Sequence, residues 1–270
     1  MLKGTFFMQI LIISLILCMS ALACSDMKTR PETADKLKPI LVLVNPPNES
    51  KTPLAPLPRT NLDPPLPGQT VKLEFHFVGP ADFTNITLTP GEPELRPLTL
   101  PISNWTVAAA ELHPYAGLQH ITIAATAPIP SADQLTALAP TFATLGVVRL
   151  RYTLIVSDGV RELPLAGDFV VYRDNAAGSA QTSLFGSSID APLANQDVSD
   201  KKLTISSTLQ NVQDEPVKIG WYVSAGEIKN RRASETEWEL PGSGSYTLVF
   251  TIRGKESRNG DIQIREVALP

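Results

Sequence analysis

Cysteine is almost missing from this 270-residue chain, with two residues only, at positions 18 and 24. If a leader carrying Cys18 is removed, one thiol remains and no intrachain disulfide can form. The fold must then rest on apolar cores, not on cross-links. Histidine is equally scarce, at His76, His113 and His120. Zinc sites draw on closely spaced pairs with a third ligand; a site shared between neighbouring strands is conceivable here, but surface histidines are the better reading and no metal is expected. Strand alternation puts His76 and His120 on outer faces, and His113-Pro114 has the composition of a turn, so surface histidines are expected. The chain contains no G-x-S-x-G, no P-loop and no G-x-G-x-x-G opening a helix. With no cysteine left for a Cys–His pair, neither enzyme activity nor a cofactor is expected. Nor is there a basic block. The formal charge is −4, which disfavours binding to nucleic acid.

The longest apolar run lies at the start. Lys3 gives a short positive region, residues 6–19 read FFMQILIISLILCM, and small residues lead to Cys24. That layout fits a secretory signal peptide better than a core helix. A spanning helix needs about 20 apolar residues, so an uncleaved anchor is the second choice. Ala21-Leu22-Ala23-Cys24 resembles the bacterial lipobox. The resemblance covers residues 1–24 only, and Ala21 and Leu22 exchange the roles most often seen in that pattern. It implies cleavage before Cys24, with Ala23 in the peptidase pocket, and a lipid-bearing thiol that ties the chain to a membrane. Each buried CH₂ of an acyl chain contributes about 0.8 kcal/mol, and one chain holds only marginally. The two or three chains that such pathways add make release slow. An aspartate directly after the cysteine is the usual inner-membrane retention signal. Here Ser25 holds that place and Asp26 comes one residue late, which points to the outer membrane. A plain signal peptide with an incidental cysteine is the competing reading.

Proline is abundant, at 24 residues, and long amphipathic helices are absent. Residues 24–36 are polar and read as a flexible tether. Residues 45–67 carry eight prolines, including Pro46, Pro47, Pro64 and Pro65. They are expected to form an extended connection along a sandwich edge. Strand patterns recur beyond it. In 71–78, Val71, Leu73, Phe75 and Phe77 face one way, and Lys72, Glu74 and His76 the other. Residues 41–44, 83–89, 105–110, 118–125, 147–156 and 168–172 are further candidates, separated by turn residues such as Asp158-Gly159. One helix is expected over 131–142, capped by Ser131 and limited by Pro140. A small, polar stretch over 175–186 reads as a linker. After it come strand candidates at 203–209, 217–224, 236–240, 245–253 and 261–268. About 85 residues with strands at this rhythm suit an immunoglobulin-like sandwich.

Two runs carry a resemblance for this second block: Trp221-Tyr222-Val223-Ser224-Ala225-Gly226, and Gly244-Ser245-Tyr246-Thr247-Leu248 with Trp238 and Pro241 before it. They resemble the PKD-like and bacterial immunoglobulin-like modules of surface proteins, over roughly residues 187–270. In those modules a strand ends W-x-x-x-x-G and a later strand opens G-x-Y-T. The resemblance implies a tyrosine-corner role for Tyr246. It does not extend to calcium, because basic residues stand in the turn after 253. Tyr152-Thr153-Leu154 echoes Tyr246-Thr247-Leu248, which suggests a tandem of related sandwiches. Asp158 reads as a hairpin-turn residue.

The expected architecture is therefore all-β: a signal peptide over 1–23, the tether over 24–36, an immunoglobulin-like sandwich over 37–174 with a proline-rich extension and one short helix, the linker over 175–186, and a smaller sandwich over 187–270. The expected function is that of a non-enzymatic envelope lipoprotein offering its sandwiches to a protein partner. A glycan-binding surface module is the alternative, and it calls for an exposed aromatic row. Trp221 and Trp238 read as core residues by alternation, which leaves Trp105 as the candidate for a binding face. Glu235 and Glu237 share a strand face, which reads as solvated.

Overall fold

The computed structural model describes residues 36–45, 65–83, 86–93, 98–174, 186–192, 201–210, 212, 216–254 and 260–269. The signal peptide, the tether with Cys24, most of the proline-rich stretch and most of the 175–186 linker lie outside the described residues. Among the described residues, no helix is long and apolar enough to cross a membrane.

Two cores organise the strands. The first lies between two sheets. One sheet runs β1 (Lys38–Val44), β2 (Thr70–Gly79), β7 (Leu118–Pro128), with β5 (Thr106–Val107) and β6 (Glu111–Tyr115) sharing the far edge of β7. In the other, β8 (Val147–Ser157) carries β3 (Thr87–Pro90) and β4 (Thr99–Pro101) on one edge and β9 (Glu162–Tyr172) on the other. All of these pairs are antiparallel except β4 with β8. The expected inward set of β2 is the observed one. Val71, Leu73, Phe75 and Phe77 pack with Ile121 and Ile123 of β7 and Leu150, Leu154 and Val156 of β8. Tyr152 meets Phe75 edge-on in this core.

The expected helix divides at Pro140 into α1 (Ala132–Leu138) and α2 (Thr141–Leu145). Ser131 caps α1 reciprocally. Its hydroxyl accepts from the Gln134 amide, and its own amide donates to Gln134 Oε1, so two otherwise orphaned donors are satisfied. Pro140 cannot continue the helix because it lacks an N–H, and α2 starts after it.

The second core also lies between two sheets, β10 (Gly186–Ala191), β11 (Lys202–Gln210), β14 (Glu235–Glu239), β13 (Glu227–Ile228) on one side and β12 (Val217–Val223), β15 (Gly244–Gly254), β16 (Gly260–Leu269) on the other. Trp221 and Trp238 fill it, fully buried. Each indole N–H is satisfied by backbone, Trp221 by the Ala233 carbonyl and Trp238 by the Ala225 carbonyl. Tyr246 forms the expected corner, its hydroxyl 2.9 Å from the Gly242 carbonyl and 3.2 Å from that of Ser243. The echo at Tyr152 does not share this position, because Tyr152 lies mid-strand in β8. Asp261 ties the two sheets together. This buried carboxylate accepts from the Ser187 amide and hydroxyl at 2.9 Å each and from Gln263 Nε2 at 3.0 Å. Several donors on one carboxylate offset the cost of burying its charge.

One glycine in this sandwich is irreplaceable on geometric grounds. Gly226 has φ +87°, and a Cβ built on it would stand 2.2 Å from the Glu239 carbonyl oxygen and 2.9 Å from Trp238 Nε1. The chain there combines a left-handed turn with a close backbone approach. Gly226→Ala is expected to lower stability by about 2 kcal/mol or more, read by urea denaturation through tryptophan emission. Gly242→Ala, where a Cβ meets nothing within 4 Å, should change it by less than about 0.5 kcal/mol.

Candidate functional site: a buried histidine chain on the face between the sandwiches

Strand alternation gives β2 and β7 a second face, pointing away from the first core. Residues 32–270 form one compact unit, and this second face is where the two sandwiches meet. Ile40, Leu41 and Leu43 of β1, Val78 of β2 and Leu118 of β7 cluster with Val249 of β15, with Tyr115, Tyr222, Ile262 and Ile264 packed around them. Val78, Leu118 and Val249 have no exposed surface. Each such side chain contributes about 1.5–3 kcal/mol relative to leaving it in water. Inter-domain contacts are by default polar and mobile, and this one has an apolar centre instead. Polar links reinforce it at the turn joining β6 to β7. Thr247 Oγ1 donates to the Ala116 carbonyl at 2.8 Å, and the Ala116 amide donates to Glu266 Oε1 at 2.9 Å.

The three histidines share this face. His113 stands directly opposite His120 in the β6–β7 register, Val78 stands opposite His120 in the β2–β7 register, and His76 is the diagonal neighbour of His120. The structure corrects the surface expectation here. His76 and His120 are 5% and 8% exposed. The periodicity placed them on the correct face, but a sequence cannot show what covers an outer face. The expected turn at His113-Pro114 is a strand instead. β6 runs through Pro114, which sits at the sheet edge where a missing N–H is tolerated, and the turn falls at Ala116-Gly117.

The His76 and His120 rings are parallel within 3°, with centroids 5.3 Å apart and His76 Nδ1 3.1 Å from His120 Nε2. The centroid separation exceeds the nitrogen separation by about two ring radii. The rings therefore meet edge to edge in nearly one plane, the geometry of an N–H···N hydrogen bond and not of face-on stacking. One of the two facing nitrogens carries the proton and the other accepts. Beyond His76, Glu74 Oε1 lies 3.2 Å from Nε2, off hydrogen-bond alignment, with both side chains about 6% exposed. Lys72 Nζ stands 3.6 Å from the other Glu74 oxygen. At the opposite end, the His113 ring lies 5.6 Å from that of His120, and His113 Nε2 lies 3.9 Å from Glu111.

The Glu74 carboxylate favours one direction for that bond, with His120 Nε2–H donating to His76 Nδ1 and the His76 proton on Nε2, on the Glu74 side. The opposite direction would set a bare nitrogen lone pair against that carboxylate. Among the described residues, no group of three or more His, Cys, Asp or Glu is arranged to hold a metal.

Trp105, the candidate for a binding face, is inside. It is 8% exposed in the first core, its indole N–H donates to the Ile102 carbonyl at 3.2 Å, and its ring meets Tyr152 edge-on. With Trp221 and Trp238 also buried, no tryptophan offers a face for stacking a sugar. Asp158 is used locally. Its Oδ1 accepts from the Val160 and Arg161 amides, and these bonds, Arg161's foremost, hold its carboxyl below the usual range. Glu235, Glu237 and Glu239 are exposed on β14, with Lys229 beside Glu237 and Lys202 beside Glu239.

No protein family matches the chain, and no curated protein does. Among solved structures it is similar to the full ectodomain (Ig1–Ig3) of mouse nectin-like molecule 4, at 12% identity and TM-score 0.24, covering 88% of this chain and 64% of that one. It is also similar to three N-terminal domains of the bacteriophage RB49 highly immunogenic outer capsid protein, at 11% identity and TM-score 0.25, covering 86% of this chain and 59% of that one. The D00–D0 domain of intimin is a third, at 12% identity and TM-score 0.24, covering 85% and 100%. The chain thus spans less than two thirds of the first two. These superpositions are too loose to argue from, and the sandwich assignment rests on the sheets themselves.

Burial raises the hydroxyl pKa of Tyr222 above its ordinary 10.0, against smaller opposing effects of Arg253 and Thr251. Burial, aided by Glu266, does the same for Tyr115. A phenol whose pKa is raised by folding stabilises the folded form below its unfolded value, and that contribution is lost as pH rises through the folded value. Contact between the sandwiches should therefore weaken above about pH 10. In a spectrophotometric titration, Tyr222→Phe should remove one late-ionising phenol. A variant whose late-ionising phase keeps the amplitude seen in the parent would contradict this.

Proposed function

We propose that this chain is a non-enzymatic lipoprotein of the bacterial cell envelope, held by lipid on Cys24, that presents its two sandwiches as one body to an envelope protein partner. The lipobox resemblance at Ala21 to Cys24 supports the anchor, and Ser25 after it supports the outer membrane. The observation that carries the binding role is where apolar surface remains. Both cores and the face between them are closed, yet the two-helix segment keeps Leu138 and Leu145 at 62% and 67% exposure, with Val147 after them at 37%. At the far end of the β8–β9 hairpin, Val160 is 88% exposed. Scattered exposed apolar residues need no explanation, but Leu138 and Leu145 on the capped two-helix segment and Val147 at the start of β8, all within ten residues, favour a protein-facing patch. The glycan reading required an exposed aromatic row, and no observation now favours it.

The test is affinity capture of tagged protein from crosslinked, gently solubilised membranes, beside Cys24→Ser and Leu138→Asp/Leu145→Asp copies. The parent should fractionate with membranes and bring down one defined envelope protein. Cys24→Ser should become soluble, and the double aspartate copy should stay membrane-bound but lose the partner. If Cys24→Ser fractionates like the parent and nothing is captured by either, both the anchor and the binding role fail.

A further inference from the structure

The histidine chain lies within the face that joins the sandwiches, and it can hold only a limited number of protons. With both rings neutral, one N–H···N bond closes it. One added proton is accommodated, because the single proton in the gap still bridges His76 and His120, and the Glu74 carboxylate 3.2 Å from His76 Nε2 offsets the added charge. A second proton puts an N–H on each side of the 3.1 Å gap. The bond is then lost, and two like charges face each other away from water.

The charged surroundings do not relieve that state. On the first sandwich, Lys38, Lys72, Glu74, Glu111, His113 and Tyr115 share the face with the pair. Alternation in the facing sheet turns Lys218 and Tyr222 of β12, Arg253 of β15 and Glu266 of β16 the same way. The carboxylate of that set, Glu266, is bound to the Ala116 amide, and Lys218 and Arg253 add positive charge. The neighbours of the pair in the β1–β2–β7 register, Leu41 and Val78, are themselves residues of the apolar cluster between the sandwiches. Displacing either ring therefore disturbs that cluster directly.

We propose that Glu74, His76 and His120 form an acid-sensitive latch. The closed face between the sandwiches requires at least one of the two rings to be neutral, and charging both separates the sandwiches while each core stays folded. Charging both rings requires proton uptake, so the device responds to acidification and not to alkaline pH.

The test uses the full chain carrying Cys24→Ser, followed by small-angle X-ray scattering from about pH 7.5 to about pH 4.5. A compact body of the 239 residues in the unit 32–270 has a radius of gyration of about 18 Å, and several ångströms more are expected at the acid end. Tryptophan emission should stay constant across the change, because Trp105, Trp221 and Trp238 are buried in the cores and not in the joining face. In His76→Asn/His120→Gln each amide replaces the ring nitrogen used in the bond, so an untitratable hydrogen bond can form there. This variant should remain closed at both ends of the range. Opening of the variant as in the parent would assign the effect to carboxylates and overturn the proposal. Histidine NMR on the parent provides a readout that survives misfolding of the variant. Opening must coincide with protonation of the second ring. Expansion at any other stage, or none with both rings charged, also overturns the proposal.

Discussion

The burial of one sheet's outer face decides most of what is distinctive here. In a lone sandwich, the face carrying Lys72, Glu74 and His76 would be solvated and its histidines ordinary. Docking β12, β15 and β16 against Leu41, Val78 and Leu118 buries the part of that face beside the histidines. It also changes two independent cores into one body, because Leu41, Val78 and Leu118 are buried only while Val249 and its neighbours are in place. The apolar part supplies the attraction. The polar part fixes orientation, since the Ala116 turn is held on both its amide and its carbonyl by the second sandwich.

Asp261 shows the same logic at smaller scale. It is a buried carboxylate spent on joining two sheets, with its donors coming from β10 and β16. Together with the Tyr246 corner and the two indole N–H bonds, it leaves the second sandwich with its large polar groups paired inward.

How much of this was legible beforehand differs by element. Strands with strict alternation, such as β2 and β15, could be read with their inward faces, because period 2 is a direct consequence of the pleat. Short strands could not. β4 and β13 have two or three residues, too few to show any period, and β6 contains Pro114, which reads as a breaker unless the strand is known to be at an edge. The tyrosine corner was legible because its geometry is local. The histidine chain was not, since its three members lie 37 and 7 residues apart and meet only through the β2–β7–β6 order. One hint was available: His76 follows Glu74 at i+2, which places carboxylate and ring on one strand face. Trp105 was undecided because β5 has only two residues, so no alternation assigns its side.

The sequence separation across the joining face has a consequence for birth of the molecule. Leu41 and Ile262 come together late in any vectorial process, since more than two hundred residues must follow the first before the second exists. A chain emerging N-terminus first presents a finished sandwich with a bare, partly apolar side for that interval, and such transient surfaces are where association errors arise. Lys72, Glu74 and His76 run through that side and interrupt it with charge. Before the second sandwich arrives the strip acts as a gatekeeper, and afterwards the same atoms become part of the seal.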